Sequence, residues 1–309
     1  MSAVREEIEV ELLTVVPPLA AVAETPGRIS DLLDLTKPRL SSLVLVTAAV
    51  GFVVAPGRTH LWDLILTVAG VAMIVAAANT LNCWVERESD RLMRRTRNRP
   101  LPSGRLPGGV ALAQGILLAT LALPLIAYAS NVLAAALALL AFASYVFAYT
   151  PMKRVSSEAT VLGALPGALP PLIGWVAATG RIEVGGLVLF GIMFLWQIPH
   201  FLALSVFLKD DYALAGLKVL PLDGGMSATR WNVLLWTVAL VPVSLLPVRL
   251  GFAGDAYGIV AIVSGLAFVA LGARGFRQDA GKRWAVGLFA ASIVYLTVLF
   301  TALVLDARG

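Results

Sequence analysis

The chain is short of charge and almost without thiol or imidazole chemistry. Asp, Glu, Lys and Arg make up only 14% of its 309 residues, against roughly 25% in soluble domains. That shortage excludes an ordinary water-soluble fold. A single cysteine, Cys83, excludes an intrachain disulfide. Its place beside Asn82 reads as small packing volume rather than reactive chemistry. Only two histidines occur, His60 and His200, and no clear internal repeat is present. Glu6, Glu7, Glu9 and Glu11 give the first 30 residues an acidic start, and Pro17 and Pro18 break their apolar stretch. Both features argue against a signal or transit peptide.

What is there is mostly apolar. Hydrophobic residues are 59% of the chain and the mean hydropathy is +0.85. Nine segments are long enough, or nearly so, to cross a hydrocarbon core of about 30 Å. They run over 38–55, 62–84, 109–129, 131–149, 159–178, 184–206, 231–248, 255–273 and 284–305. Each is expected to be helical, because lipid offers backbone groups no other partner. The first is short and is expected to tilt or to begin earlier, near Leu35. The reading is an all-α, nine-helix integral membrane protein with one domain over residues 35–309. Residues 1–34 are expected to form a disordered cytoplasmic tail. Pro166, Pro170 and Pro171 lie inside the fifth span, where a bend is expected.

Basic residues orient the bundle. The N-terminal segment and the loops after spans 2, 4, 6 and 8 hold 20 of the 24 Lys and Arg residues. The opposite side holds Arg58, Arg181, Arg249 and Arg308. The expected topology has a cytoplasmic N-terminus and an outer C-terminus, in a bacterial inner membrane. This distribution also accounts for the basic balance without nucleic-acid binding.

The densest polar stretch is Asn82 to Pro107, NCWVERESDRLMRRTRNRPLPSGRLP. It packs three carboxylates and seven arginines at the end of an apolar run. Asn82, Glu86 and Asp90 are spaced four apart, so a continuing helix places them on one face, drifting about 40° per step. A second cluster, His200, Lys209, Asp210 and Asp211, follows four spans later and echoes the first. Two carboxylate clusters facing each other suit Mg²⁺ and a diphosphate, since Mg²⁺ takes one or two carboxylates plus phosphate oxygens. Asn82, Glu86, Glu88, Asp90, Asp210 and Asp211 are the candidate metal ligands. Arg94, Arg95, Arg97, Arg99, Lys153 and Arg154 are candidate diphosphate contacts, joined by Lys37 at the start of span 1. Should an allylic diphosphate ionise here, these cations would stabilise the leaving group. Asn82, Glu86, Asp90, Lys209 and Asp211 are the candidate catalytic set. Orientation and lipid headgroups would also account for the arginines singly, but not for the acids.

These residues resemble the UbiA superfamily of intramembrane prenyltransferases, whose first acidic motif is an Asn followed at four and eight residues by acids. The likeness extends to one branch, which farnesylates haem. It covers LTKPR at 35–39, RRTRNRPLPSG at 94–104, YTPMKR at 149–154, LPPLIGW at 169–175 and PHFLALSVFLKDDYALAGLKVLP at 199–221. Two departures stand out. Glu86 occupies a position that is usually Asp in this branch. The residues four before Asp210 and Asp211 are Val206 and Phe207 rather than acids, which is the form of this branch and not of the quinone prenyltransferases.

The resemblance implies a UbiA-type bundle and Mg²⁺-dependent transfer of farnesyl from farnesyl diphosphate to a vinyl group of haem B. Water adds to give haem O, and diphosphate leaves. Haem B is then a substrate, lipid the surroundings and haem A synthase a possible partner, with no nucleic acid. The sequence contains no C-x-x-C-H, so haem is not covalently held. His200 is a candidate axial ligand. Its alternatives are a hydrogen bond to a neighbouring helix or a contact with diphosphate. Trp175 and Trp196 are candidates to stack on a porphyrin or to pack as interfacial anchors. The rival functions are prenylation of a quinone or chlorophyll precursor, and secondary transport. Transporter sites usually sit near the bilayer midplane, whereas these carboxylates sit at span ends.

Overall fold

The computed structural model describes residues 29–57 and 60–307. Helices account for nearly all of the ordered chain, and among the described residues the only β pairing is one isolated bridge, Ala253 to Ala307. The helices, in order, are α1 (Ile29–Thr36), α2 (Pro38–Val54), α3 (Leu61–Leu92), α4 (Gly108–Ala129), α5 (Val132–Met152) and α6 (Ala159–Thr179). They continue as α7 (Val184–Phe207), α8 (Lys209–Leu214), α9 (Leu220–Asp223), α10 (Gly225–Arg249), α11 (Asp255–Phe276) and α12 (Lys282–Leu305). Among the described residues, eight are long and apolar enough to cross a membrane, and α1 and α2, bent by 49° at Lys37, meet the same measure only as a pair, the form of a broken span or a re-entrant loop.

The expected first span, 38–55, is present as α2 at Pro38–Val54, and the chain before it is not a tail throughout. A separate helix begins at Ile29, six residues before the expected boundary of the ordered domain. Its Asp31 is buried and accepts from Arg105 Nε at 3.1 Å. Gln114 donates to the Leu32 carbonyl at 3.1 Å, so α1 is pinned to the loop before α4 and to α4 itself. The rest of the expected tail, residues 1–28, lies outside the described residues.

Local chemistry explains the helix ends. Asn131 caps α5 by accepting from Ala134 N at 2.9 Å, and its amide donates to Val176 O in α6 at 2.8 Å. Gly180, at φ 74°, ends α6 in the left-handed conformation. α6 runs through Pro166, Pro170 and Pro171 as one unbroken helix. It is enclosed along most of its length, while α4 and α5 leave most of their residues to the lipid.

Small residues let α2 meet α6. A Cβ added at Gly51 would collide with the Pro171 carbonyl oxygen, and one at Gly174 with the Ala48 carbonyl oxygen. Backbone therefore packs on backbone, the membrane equivalent of a tight core seam. α7 packs between α6, α10 and α12. At the end away from the charged loops, Tyr257 donates to Ser244 O and Asp306 accepts from Tyr257 N, both at 2.8 Å. The charged loops collect at the other end, where the site lies.

Candidate active site

Helix α3 continues ten residues past Asn82, so the expected face forms. Asn82 and Asp90 are each 1% exposed and Glu86 is 8% exposed. Buried polar groups need partners, and each of the three has a cation. Lys37 Nζ donates to Asn82 Oδ1 at 2.8 Å. Lys153 Nζ donates to Glu86 Oε1 at 2.9 Å. Arg99 Nη1 donates to Asp90 Oδ2 at 2.9 Å. Arg154 reaches the same face through Ser89 Oγ at 3.3 Å.

Lys37 is held by an unusual backbone. It is the one non-glycine residue with positive φ among the described residues, at 52°. Residues before proline normally avoid compact conformations, and Pro38 begins α2 directly after it. Asn79 steadies the joint, donating to Thr36 O and to Ser41 Oγ, each at 3.1 Å. Strain of this kind persists where surrounding contacts over-determine it. Here it aims an ammonium at Asn82.

Lys153 comes from the far end of α5, where the helix widens. Ser144–Tyr149 form a π turn, a feature frequent at functional sites. Pro151 has no N–H to return to the preceding turn, and the widened stretch ends just before it. The turn presents Tyr145, Tyr149 and Thr150. Asn82 Nδ2 donates to Thr150 Oγ1 at 3.3 Å, and Thr150 Oγ1 donates to Tyr145 O at 2.8 Å. Lys153 Nζ lies 4.5 Å from the centre of the Tyr149 ring, a cation–π distance. Burial opposes the charge of Lys153, yet the neighbouring Tyr149 and Glu86 outweigh it and hold its pKa well above the ordinary lysine value. It stays protonated throughout the physiological range.

The second cluster joins through backbone and a tyrosine. Lys218 N donates to Lys153 O at 2.8 Å. Tyr212 in α8 lies within the field of Tyr149, Arg95, Lys153 and Glu86, and burial raises its pKa. Lys209, Asp210 and Asp211 share α8 with it but make no ion pair with the first cluster. Arg94, Arg95 and Arg97 are exposed, and only Arg95 is electrostatically linked to Tyr212.

Glu88 does not belong with the other acids. It is exposed and pairs with Arg91 Nη1 at 2.8 Å and with Arg87 Nε at 3.5 Å. Two helical positions from Glu86 is a turn of about 200°, so it points away from the face. The two tryptophans are packed in the interior. Trp175 is 3% exposed, packs on Phe252 and donates to Glu183 at 3.0 Å. Trp196 is 4% exposed and donates to Ser292 O at 2.7 Å. Sequence reasoning missed Tyr145, Tyr149 and Tyr212, although YTPMKR and KDDY both display them.

The donor set suits a hard cation, being entirely oxygen. Among the described residues, no three Asp, Glu, His or Cys side chains converge on a metal site. Neighbouring members of the α3 face are about 6 Å apart along the axis. Asn82, Glu86 and Asp90 are the residues that would hold Mg²⁺, which takes one or two carboxylates and completes its shell with phosphate oxygens and water.

Comparison with known proteins places this geometry. The sequence profile of the UbiA prenyltransferase family matches residues 44–299. A protoheme IX farnesyltransferase of Myxococcus xanthus is 52% identical over 287 residues, covering 93% of this chain and 98% of the relative. One from Anaeromyxobacter is 52% identical over 278 residues, covering 90% and 94%. Among solved structures, a digeranylgeranylglyceryl phosphate synthase superposes with a TM-score of 0.76 at 18% identity, covering 90% of this chain and 98% of that one. A UbiA homologue from Archaeoglobus fulgidus, bound to GPP and Mg²⁺, superposes at 0.70 and 18% identity, covering 88% and 99%. These structures share the fold.

Proposed function

The chain belongs to the UbiA prenyltransferase family, and on that premise we propose that its charged end receives the diphosphate of farnesyl diphosphate for transfer to haem B. The farnesyl C–O bond breaks and diphosphate leaves. A new C–C bond joins the allylic carbon to one carbon of the vinyl group, and water adds at the other and releases a proton. The products are haem O and diphosphate. Near full-length similarity to protoheme IX farnesyltransferases carries this assignment.

The α3 face supports it. Lys37, Lys153 and Arg99 sit on Asn82, Glu86 and Asp90, and each is a donor that a diphosphate would claim. Arg154 joins them through Ser89, with Arg94, Arg95 and Arg97 exposed on the loop that follows α3. Preorganised cations stabilise charge where it develops on the leaving group. Asn82, Glu86 and Asp90 would hold Mg²⁺, which would supply positive charge to stabilise the leaving diphosphate. Lys209, Asp210 and Asp211 would approach from α8. The setting is a bacterial inner membrane, with the charged end cytoplasmic. Haem A synthase, which would consume the product, is the expected partner.

The test is purified full-length protein with haem B, farnesyl diphosphate and Mg²⁺, read by mass. Haem O should form and should vanish on chelation of the divalent cation. Prenylation of a quinone precursor instead, with no haem O, would overturn the assignment.

A further inference from the structure

One polar assembly lies outside the diphosphate cluster. His200, in α7, is partly buried and meets Ser292 of α12, with Nδ1 2.7 Å from Ser292 Oγ. Ser292 Oγ is also 2.6 Å from the Phe289 carbonyl oxygen. A carbonyl can only accept, so the single hydroxyl proton is committed there. Ser292 Oγ must then accept from His200, and the imidazole carries its proton on Nδ1. Nε2 is left with its lone pair. It has no hydrogen-bond partner among the described residues and is not one of the sealed, unsatisfied polar atoms.

The ring is also fixed in place. It stacks on Trp196 at 4.8 Å and 25°, and on Phe289 at 4.4 Å and 29°. Trp196 is itself tied to Ser292 through its indole N–H at 2.7 Å. Ser292 therefore anchors the histidine with its side chain and the tryptophan with its backbone. A neutral imidazole, held rigidly, donating through one nitrogen and open at the other is the arrangement of a metal-ligating histidine. Haem iron commonly takes such a ligand. A helix-packing role alone would be complete at the Nδ1 bond.

We propose that His200 Nε2 is an axial ligand to the iron of the haem substrate, with Ser292 as the positioning residue that sets its tautomer. This rests on haem as the acceptor. The Nε2 lone pair enters the iron coordination sphere, and no proton or electron leaves the pair. The site then selects an iron porphyrin over the same macrocycle without metal, and it anchors the macrocycle to the seam between α7 and α12.

The test compares binding of ferric protohaem and metal-free protoporphyrin IX to the full chain in detergent, by optical titration and electron paramagnetic resonance. Wild type should bind the iron porphyrin at least tenfold more tightly and show an imidazole-ligated spectrum. His200→Ala should lose that preference and that signature while keeping its affinity for the metal-free ring, and added imidazole should restore the spectrum. Ser292→Ala should retain the ligand with a several-fold weaker preference. Equal affinity of wild type for the two porphyrins overturns the proposal without any variant. So does an unchanged spectrum in folded His200→Ala. Failure to bind either porphyrin removes haem as the acceptor and this proposal with it.

Discussion

Glu86 ends 2.9 Å from Lys153, and the two share a largely buried position, with side chains 11% and 21% exposed. Deleting one member of such a pair leaves an uncompensated charge. Lys153→Met should lower turnover by roughly 10²–10³-fold, the usual cost of removing one preorganised donor to developing charge. Asp90→Asn should likewise cost orders of magnitude in turnover while the fold persists. Single-turnover kinetics beside a thermal melt would check both. Near-normal turnover in Asp90→Asn would remove that residue from the site. The spacing of Asn82, Glu86 and Asp90 was legible because one helix sets it. Their partners were less so, since Lys37 and Lys153 lie 45 and 67 residues away from Asn82 and Glu86 in sequence. Lysines and arginines near a span all look alike until packing selects which one reaches a carboxylate. Glu88 shows the opposite failure, because its residue type fitted but its helical angle did not.

At the scale of elements, the seam between α2 and α6 is the most sensitive to side-chain volume. Gly174→Leu drives a side chain into the Ala48 carbonyl and should cost about 1–3 kcal/mol, the range for overpacking a tight core. Detergent melting curves would show a lowered midpoint, while Gly109→Leu, with nothing within 4 Å of an added Cβ, should leave it unchanged. Spans were easy to find from sequence because hydrocarbon imposes one requirement on all of them. Elements that do not span were harder. α1 has a mixed composition and is held by Arg105, 74 residues from Asp31, so nothing local distinguishes it from a tail. The π turn in α5 was equally hidden. Its apolar pattern continues unbroken, and only Pro151 hints that the spacing changes.

For the whole molecule, counting α1 and α2 together as one span makes nine crossings, which would put Ile29 and Leu305 at opposite faces of the membrane. The excess of Lys and Arg at the active-site end predicts which side is which. A phosphatase fused after Leu305 should be active outside the cell, and a fluorescent protein fused there should stay dark. The reverse pair of results would invert the bundle and strand the diphosphate site away from cytosolic substrate. Length adds a second consequence. α3 has 32 residues, about 48 Å of helix at 1.5 Å per residue, and the hydrocarbon it crosses is only about 30 Å thick. About twenty residues would span that thickness, which would leave Asn82, Glu86 and Asp90 on the overhang. An amphiphile bound along this one helix is sorted by its own polarity, with the isoprenoid tail left in hydrocarbon and the phosphates at the waterline. On the proposed function, the leaving group would depart at the edge of the hydrocarbon, and the enzyme would never have to carry a polyanion through lipid.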